Sequence, residues 1–228
     1  MNWLLGVLGI LVIGLFLYWQ FVLAEGTYFG ARLVTLLYDW TANRYNGIKE
    51  FNVDDEDFTL GQPLVNRLYA HPIATVLDVA TGTGRVPLVL MRQSVFKGRV
   101  IGVDRSARML AVAQQDTAKF GNRVLLIQAD AQALPFATNR ASMVTCLEAL
   151  EFLPSPKKGL AEFVRVLQPG QWLLTTNRIG WEAKLMPGKT WSRHQLENIL
   201  SNLPLKNIDI RVWQDIYDQV WAQKATTR

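Results

Sequence analysis

A buried strand that runs directly into a two-glycine turn constrains this chain more than any other feature. Residues 75–80 read T-V-L-D-V-A, a largely apolar run without alternation, which is typical of a parallel strand covered on both faces. Gly82 and Gly84 then permit a sharp backbone turn and the close approach of a ligand, and a helix is predicted from Arg85 or Val86. The sequence therefore predicts a pocket at the carboxyl end of this strand.

The residues around the glycines limit the class of ligand. A dinucleotide fingerprint needs a third small residue for close helix packing, whereas Pro87 follows here, which counts against NAD or FAD. A phosphate-binding P-loop needs Lys-Ser or Lys-Thr after the turn, which this turn lacks, and that counts against ATP or GTP. What remains is Asp78, whose carboxylate can order the turn or accept a hydrogen bond from a cationic or amine group. The alternative is a generic strand–turn–helix in which Asp78 faces the helix.

Three motifs carry a family resemblance. The segment D-V-A-T-G-T-G at residues 78–84 resembles the first motif of the class I S-adenosylmethionine-dependent methyltransferases. A second strand ends at Asp104, and a third is followed by Asp130 in A-D-A-Q-A-L-P-F, which is similar to the D-A-x-x-L-P-F motif of that family. Acids at the carboxyl ends of three successive strands converge where open α/β sheets bind ligands. The resemblance implies a Rossmann-like α/β fold with a mainly parallel seven-stranded sheet and a C-terminal antiparallel hairpin.

The same resemblance implies S-adenosyl-L-methionine as the cofactor. We expect the Asp104 carboxylate to accept both ribose hydroxyls in bidentate fashion. Asp130 is expected to accept from the adenine amino group, and the next backbone N–H, at Ala131, to meet a ring nitrogen. Met109 is expected on the adenine face, with core packing as the alternative. The predicted cofactor-binding residues are Asp78, Ala80, Gly82, Gly84, Asp104, Arg105, Met109, Asp130, Ala131 and Leu147.

The segment after the fourth strand leaves the catalytic group unassigned. Residues 147–153 read L-E-A-L-E-F-L and resemble the family segment beneath the methionine part of the cofactor, where many relatives carry a His. Here Glu148 and Glu151 are the acids of the segment, and each is also explained as a charge at a helix start. Methyl transfer can rest on holding donor and acceptor in line while excluding water, so a general base is dispensable. No Cys/His cluster has the spacing of zinc ligands, and we predict no metal.

An apolar run precedes the predicted domain. Residues 1–24 contain no charged side chain, and at ~1.5 Å per residue a helix over residues 3–24 is long enough for the ~30 Å hydrocarbon layer. A signal peptide is the main alternative, opposed by the missing basic n-region and by the length of the run. A buried core helix is opposed by the absence of a polar face. Because the first basic residues follow the run, the positive-inside tendency predicts a single-pass anchor with the catalytic domain in the cytoplasm.

The 228 residues are enough for one α/β domain and an appendage. We divide them into an anchor (1–24), a helical lid or linker segment (25–72) and a methyltransferase domain (73–228). Within the second segment, Y-D-W-T-A-N-R-Y-N at residues 38–46 resembles a lid segment of the quinone-biosynthesis C-methyltransferases; an ordinary amphipathic helix is the alternative. Tyr38 and Tyr45 are the lid candidates. The four acids at residues 54–57 are expected to form a solvated turn or a helix start.

These features predict a membrane-anchored methyltransferase that acts on a small or lipid-like acceptor and has no nucleic-acid partner. The net charge of +5 is expected to favour an anionic leaflet. The alternative is a catalytically silent, membrane-tethered cofactor-binding or scaffold protein of the same fold. An NAD-dependent reductase is opposed by Pro87 and by the antiparallel ending. The sequence leaves open the acceptor, the methylated atom (O, N or C) and the oligomeric state.

Overall fold

The computed structural model describes residues 2–49, 53–71 and 73–226. Its first helix, α1 (Asn2–Tyr18), continues as a π-helical turn over Trp19–Leu23. The stretch Trp3–Leu23 is long and apolar enough to cross a membrane by length and composition, criteria that a signal sequence also meets, and it is almost entirely unburied. The boundary predicted after residue 72 falls on Pro72, which lies outside the described residues.

Three helices connect α1 to the sheet. A 3-10 turn over Thr27–Phe29 leads into the first of them. They are α2 (Ala31–Lys49), α3 (Val53–Glu56) and α4 (Gln62–Arg67). The motif at residues 38–46, predicted as a lid segment or an ordinary amphipathic helix, lies entirely within α2, which packs against the helix of residues 107–117.

Seven strands form one mixed sheet. They are β1 (Thr75–Val79), β2 (Arg99–Asp104), β3 (Val124–Gln128), β4 (Ala141–Cys146), β5 (Leu167–Arg178), β6 (Leu205–Trp213) and β7 (Tyr217–Lys224). The strand order is β3-β2-β1-β4-β5-β7-β6, with β1 to β5 mutually parallel and β7 antiparallel to both of its neighbours. The predicted seven-stranded sheet with a C-terminal antiparallel hairpin is confirmed.

Helices cover both faces of the sheet. They are α5 (Arg85–Arg92), α6 (Ala107–Thr117), α7 (Pro156–Val166) and α9 (Arg193–Ser201). A further short helix, α8 (Gly180–Lys184), follows β5. Along β1, Leu77 and Val79 belong to one apolar cluster with α7 and α9, while Val76 belongs to another with α4 and α5. Because successive strand residues point to opposite faces, these two clusters are the two layers of the core. The parallel strands between them direct their carboxyl ends to a single edge.

Candidate active site

Two adjoining cavities open at the edge of the sheet where β1, β2 and β4 end. The larger has a volume of about 800 Å³ and the smaller about 390 Å³. Both are lined by Tyr45, Ala80, Gly82, Leu147 and Glu148, which makes them one continuous site. Its position is that of a small-molecule site in an open α/β fold, and it lies where the glycine turn predicts a pocket.

The two glycines of the turn have different surroundings. Both have positive φ values, 55° at Gly82 and 89° at Gly84. A Cβ atom added at Gly82 would have no heavy atom within 4 Å, because this residue faces the cavity. A Cβ atom at Gly84 would lie 3.3 Å from the Cβ atom of Ala113, so Gly84 permits close packing of α5 on α6 and lies outside the lining of both cavities. Gly82 is therefore the glycine that borders the ligand space.

Asp104 joins the glycine turn to the end of β2. Its Oδ2 atom accepts a hydrogen bond from the backbone N–H of Gly82 at 2.9 Å, and its Oδ1 atom accepts from that of Ser106 at 2.8 Å. Burial raises the pKa of Asp104, and these backbone hydrogen bonds oppose the rise. An ionised carboxylate has about four lone-pair sites, so these contacts do not use up its capacity to accept hydrogen bonds. Asp104 can thus hold the turn and still accept hydrogen bonds from a ligand in the larger cavity, which it lines.

Asp78 places a second buried carboxylate beneath the turn. It lines the smaller cavity, and its Oδ1 atom accepts a 2.6 Å hydrogen bond from the Thr145 hydroxyl on the neighbouring strand β4. Burial raises the pKa of Asp78 to about 6, against the opposing effect of the Thr145 hydrogen bond. Near pH 7 the carboxylate is largely ionised, so this end of the site has negative charge that favours a cationic group.

Residues that follow β2 and β3 also line the larger cavity. Asp130 lines it, with Oδ1 accepting from the backbone N–H of Gln132 at 2.9 Å, and Ala131 lies beside it. Met109 is buried and also lines the cavity, so its two alternatives, core packing and contact with the ligand space, both hold. Of the ten residues predicted to bind the cofactor, all except Gly84 line one or both cavities.

Helix α2 covers the larger cavity. The lid candidates Tyr38 and Tyr45 both line it, and the Tyr38 hydroxyl donates to Glu25 Oε2 at 2.8 Å. Burial and the nearby Glu25 charge hold the pKa of Tyr38 well above its usual range. Helix α2 is also tied to α6, because the Ser106 hydroxyl donates to Asp39 Oδ1 at 2.5 Å. The helix that carries the two lid candidates is thereby fastened to α6.

Sequence reasoning missed a buried ionic cluster around Arg85. Arg85 forms a bidentate ion pair with Glu56 at 2.6 and 2.7 Å and a third contact with Glu148 at 2.6 Å, and its guanidinium lies 4.9 Å from the centre of the Trp213 ring. Of the two predictions for residues 54–57, the helix start is confirmed, since Asp54, Asp55 and Glu56 lie in the first turn of α3. Glu56 is not solvated, however; it is 5% exposed and pairs with Arg85. The available sequence signal was an Arg directly after the glycine turn.

The two acids after β4 differ in position. Glu148 lines both cavities, has a positive φ of 50° and pairs with Arg85. Glu151 is 1% exposed, accepts a 2.8 Å hydrogen bond from the Tyr217 hydroxyl, and lies outside the lining of both cavities. Within the described ranges its Oε2 atom has no hydrogen-bond partner, and burial raises the pKa of Glu151 to about 7. Glu148 is therefore the acid of this segment that borders the ligand space.

Comparison with known proteins identifies the domain that contains this site. Residues 77–175 match the model of the "Methyltransferase domain" family. A demethylmenaquinone methyltransferase of Lactiplantibacillus plantarum is 40% identical over 103 residues, which cover 44% of each chain. Residues 77–175 match a class I S-adenosylmethionine-dependent methyltransferase domain. S-adenosyl-L-methionine is the methyl donor of this class, and the open space beside Gly82 and the carboxylate of Asp104 fit such a ligand.

Other relatives of this methyltransferase domain match over similar or longer segments. A "Ubiquinone/menaquinone biosynthesis C-methyltransferase UbiE" of Blochmanniella floridana is 31% identical over 150 residues, covering 65% of this chain and 59% of that protein. The chain spans less than half the length of the first curated relatives it matches. Among solved structures, an S-adenosylmethionine-dependent methyltransferase from Aquifex aeolicus superposes with a TM-score of 0.61 at 19% identity, covering 78% of this chain and 96% of its own. That likeness supports the methyltransferase fold.

Proposed function

We propose that this protein transfers the sulfonium methyl group of S-adenosylmethionine to a small, lipid-like acceptor at a membrane surface. The observation that carries the proposal is the composition of the larger cavity. The cavity is lined both by the acids expected for the methyl donor and by apolar residues, of which Phe152 packs with Ala24 just after the N-terminal apolar helix.

The residues expected to hold the donor follow the edge of the sheet. Asp130 and Ala131 would hold the adenine, Asp104 the ribose, and the space beside Gly82 the part that carries the sulfonium. When bound, S-adenosylmethionine supplies the electrophilic methyl group on its sulfonium. The carboxylate of Asp78, at the smaller cavity, favours the positively charged end of the donor through its negative charge.

A second group of residues that line the larger cavity supports an apolar acceptor. We call this the acceptor wall; it consists of Ala31, Val34, Thr35, Phe152 and Leu153. Phe152 belongs to an apolar cluster with Ala24 and Met186, against which Val34 packs. The acceptor wall is therefore built partly on the chain that leaves the N-terminal helix. An acceptor with an apolar body matches this surface by burying its own apolar area there.

The lid residues favour transfer by excluding water and fixing geometry. Tyr38 is held between Glu25 and the aromatic rings of Tyr45 and Phe152, whose centroids lie 6.1 and 6.0 Å from its own. Restraining donor and acceptor in a dry cavity lowers the entropic part of the barrier. The names of the curated relatives make quinones the first acceptors to test.

The test is methyl transfer from isotope-labelled S-adenosylmethionine to a membrane extract of lipids and quinones. We expect labelled product with the full chain and none with Gly82→Val, which fills the space at the turn. A second comparison removes residues 2–18, since residues 19–24 pack on the domain and should stay. Without these residues the chain should leave the membrane, keep its cofactor affinity and lose turnover of the embedded acceptor. Equal turnover of that acceptor by both chains would contradict the coupling between helix and substrate.

A second candidate is cofactor binding without transfer. It is favoured because both acids after β4 already have partners, so that neither is an evident general base. Glu148 forms an ion pair with Arg85, and Glu151 is buried and accepts a hydrogen bond from Tyr217. The fold also accommodates other chemistry, because the [4+2]-cyclase SpnF superposes with a TM-score of 0.68 at 18% identity, covering 86% of this chain and 97% of its own. Tight binding of S-adenosylmethionine with no labelled product from the extract would support this candidate.

A further inference from the structure

We propose that the protein has a second membrane-contacting element, α8 together with residues 185–188, which rests on the lipid headgroup layer beside the N-terminal helix. We call this element the docking segment. The inference builds on the proposed membrane attachment through Trp3–Leu23. It adds that the catalytic domain itself contacts lipid, with one defined surface turned to the bilayer.

The docking segment is bonded to the end of the apolar helix. The indole Nε1 of Trp19 donates to the backbone carbonyl of Leu185 at 2.8 Å, and the Tyr28 hydroxyl donates to that of Pro187 at 3.0 Å. The rings of Trp19 and Tyr28 stack on each other with centroids 5.2 Å apart. These contacts fix the docking segment at the level where the apolar run ends. If Trp3–Leu23 spans a bilayer, that level is the membrane–water interface.

The exposed side chains of the docking segment suit that interface. Trp181 is 63% exposed and Leu185 is 39% exposed, and Lys184 between them is also exposed. Next to Tyr28 in the chain, Phe29 is also exposed, and its ring lies 6.0 Å from that of Phe21 in the apolar run. Trp181, Leu185 and Lys184 are of the types that partition into the headgroup region. The indole and the leucine contact the acyl boundary, and the lysine amine lies near anionic lipid headgroups.

Continuity with the apolar helix identifies lipid as the occupant. Trp19 belongs to the spanning candidate and is itself bonded to the docking segment, so lipid that surrounds the end of the helix also reaches Leu185. A partner protein on the same surface would have to displace that lipid. The apolar area of Trp181 and Leu185 is then removed from water by the bilayer.

Docking also fixes where the acceptor enters. The ammonium group of Lys189 donates to the backbone carbonyls of Leu153 at 2.6 Å and Pro154 at 3.0 Å, both of which line the larger cavity. Met186 packs against Phe152 of the acceptor wall. The docking segment is thus in contact, through Met186, with a residue that lines the larger cavity. A membrane-bound docking segment sets the acceptor wall at the bilayer surface, so the acceptor enters from the lipid side.

The experiment measures depth at three positions of the full chain in vesicles of phosphatidylcholine and phosphatidylglycerol. Spin labels are attached to Ile13→Cys in the apolar run, Trp181→Cys in the docking segment, and Val95→Cys before β2, at the edge of the sheet opposite the cavity. The native Cys146 is fully buried, so the unsubstituted chain serves as the unlabelled control. Accessibility of each label to oxygen and to a water-soluble nickel complex reports whether it lies in lipid or in water.

We expect lipid exposure at position 13, interfacial depth at position 181 with nickel accessibility severalfold below that at position 95, and water exposure at position 95. Leu185→Cys repeats the measurement should the first substitution unfold the protein. Water exposure at 181 and 185 with position 13 in lipid would overturn docking while the anchor stands. Water exposure at position 13 would overturn the anchor itself. Spin–spin broadening at 181 that disappears on dilution into excess lipid would show a second copy on this surface, and would also overturn the inference.

Discussion

Substituting alanine at Gly82 and at Gly84 provides the sharpest test of the site, because the two glycines are two residues apart and play different roles. Both have positive φ values, so an added Cβ atom strains the backbone at each. At Gly82 the new methyl group would point into open cavity, whereas at Gly84 it would press on Ala113. The pair thus separates loss of the ligand space from loss of packing.

The magnitudes follow from these surroundings. The left-handed backbone conformation costs an alanine about 1–2 kcal/mol at either position. At Gly84 the 3.3 Å approach to Ala113 adds overpacking of about 1 kcal/mol, so Gly84→Ala is the more destabilising change. At Gly82 the methyl group occupies space that the donor needs, which should weaken cofactor binding by about 1–3 kcal/mol, roughly 5- to 150-fold.

The assay combines two measurements on the full chain in detergent micelles. Urea unfolding measures the free energy of unfolding, and calorimetric titration with S-adenosylmethionine measures affinity. We expect Gly82→Ala to lose affinity with a modest loss of stability, and Gly84→Ala to lose more stability while it binds nearly as the wild type. Wild-type affinity in Gly82→Ala, or a greater loss of affinity in Gly84→Ala than in Gly82→Ala, would refute the assignment of the ligand space.

Three further predictions concern single side chains. Asp104→Ala should weaken S-adenosylmethionine binding by about 1.5–3 kcal/mol, since a charge-assisted hydrogen bond to the ribose is lost; calorimetric titration checks this, and unchanged affinity would contradict the ribose assignment. Glu151 has a pKa raised to about 7 by burial, so its contribution to stability is full below its unfolded pKa near 4.5 and is lost as pH rises through 7. Urea unfolding between pH 5 and pH 8 should therefore show the free energy of unfolding falling as pH rises, by at most about 1.4 kcal/mol per pH unit from this group. The fall should be less steep in Glu151→Gln, and an identical slope in the two proteins would refute the burial effect. Ser106→Ala removes the N-cap of α6 and the hydrogen bond to Asp39, so we expect a loss of about 1 kcal/mol in the free energy of unfolding and faster hydrogen exchange in α2. Unchanged exchange in α2 would show that this hydrogen bond does not hold the helix in place.

The sequence alone determined the fold and the edge that carries the site. Runs of apolar residues, the turn at Gly82 and acids such as Asp104 and Asp130 at strand ends are local signals, visible within a few residues. Strands joined by helical crossovers lie parallel, and their carboxyl ends therefore share one edge. For that reason the acids could be placed together before any contact was known. The unbroken apolar run likewise predicted the N-terminal helix, because its length and lack of charge need no tertiary context.

The tertiary structure decided which residues bond to one another. Asp104 accepts from Gly82 across 22 residues, Arg85 pairs with Glu148 across 63, and Trp19 bonds to Leu185 across 166. Sequence periodicity reports only which face of its own strand or helix a residue occupies. Partners this distant are set by how the crossover connections stack and how side chains fill the space between them. The burial of Glu56 and the hydrogen bond from Trp19 to Leu185 of the docking segment depend on that packing, so only the folded chain reveals them.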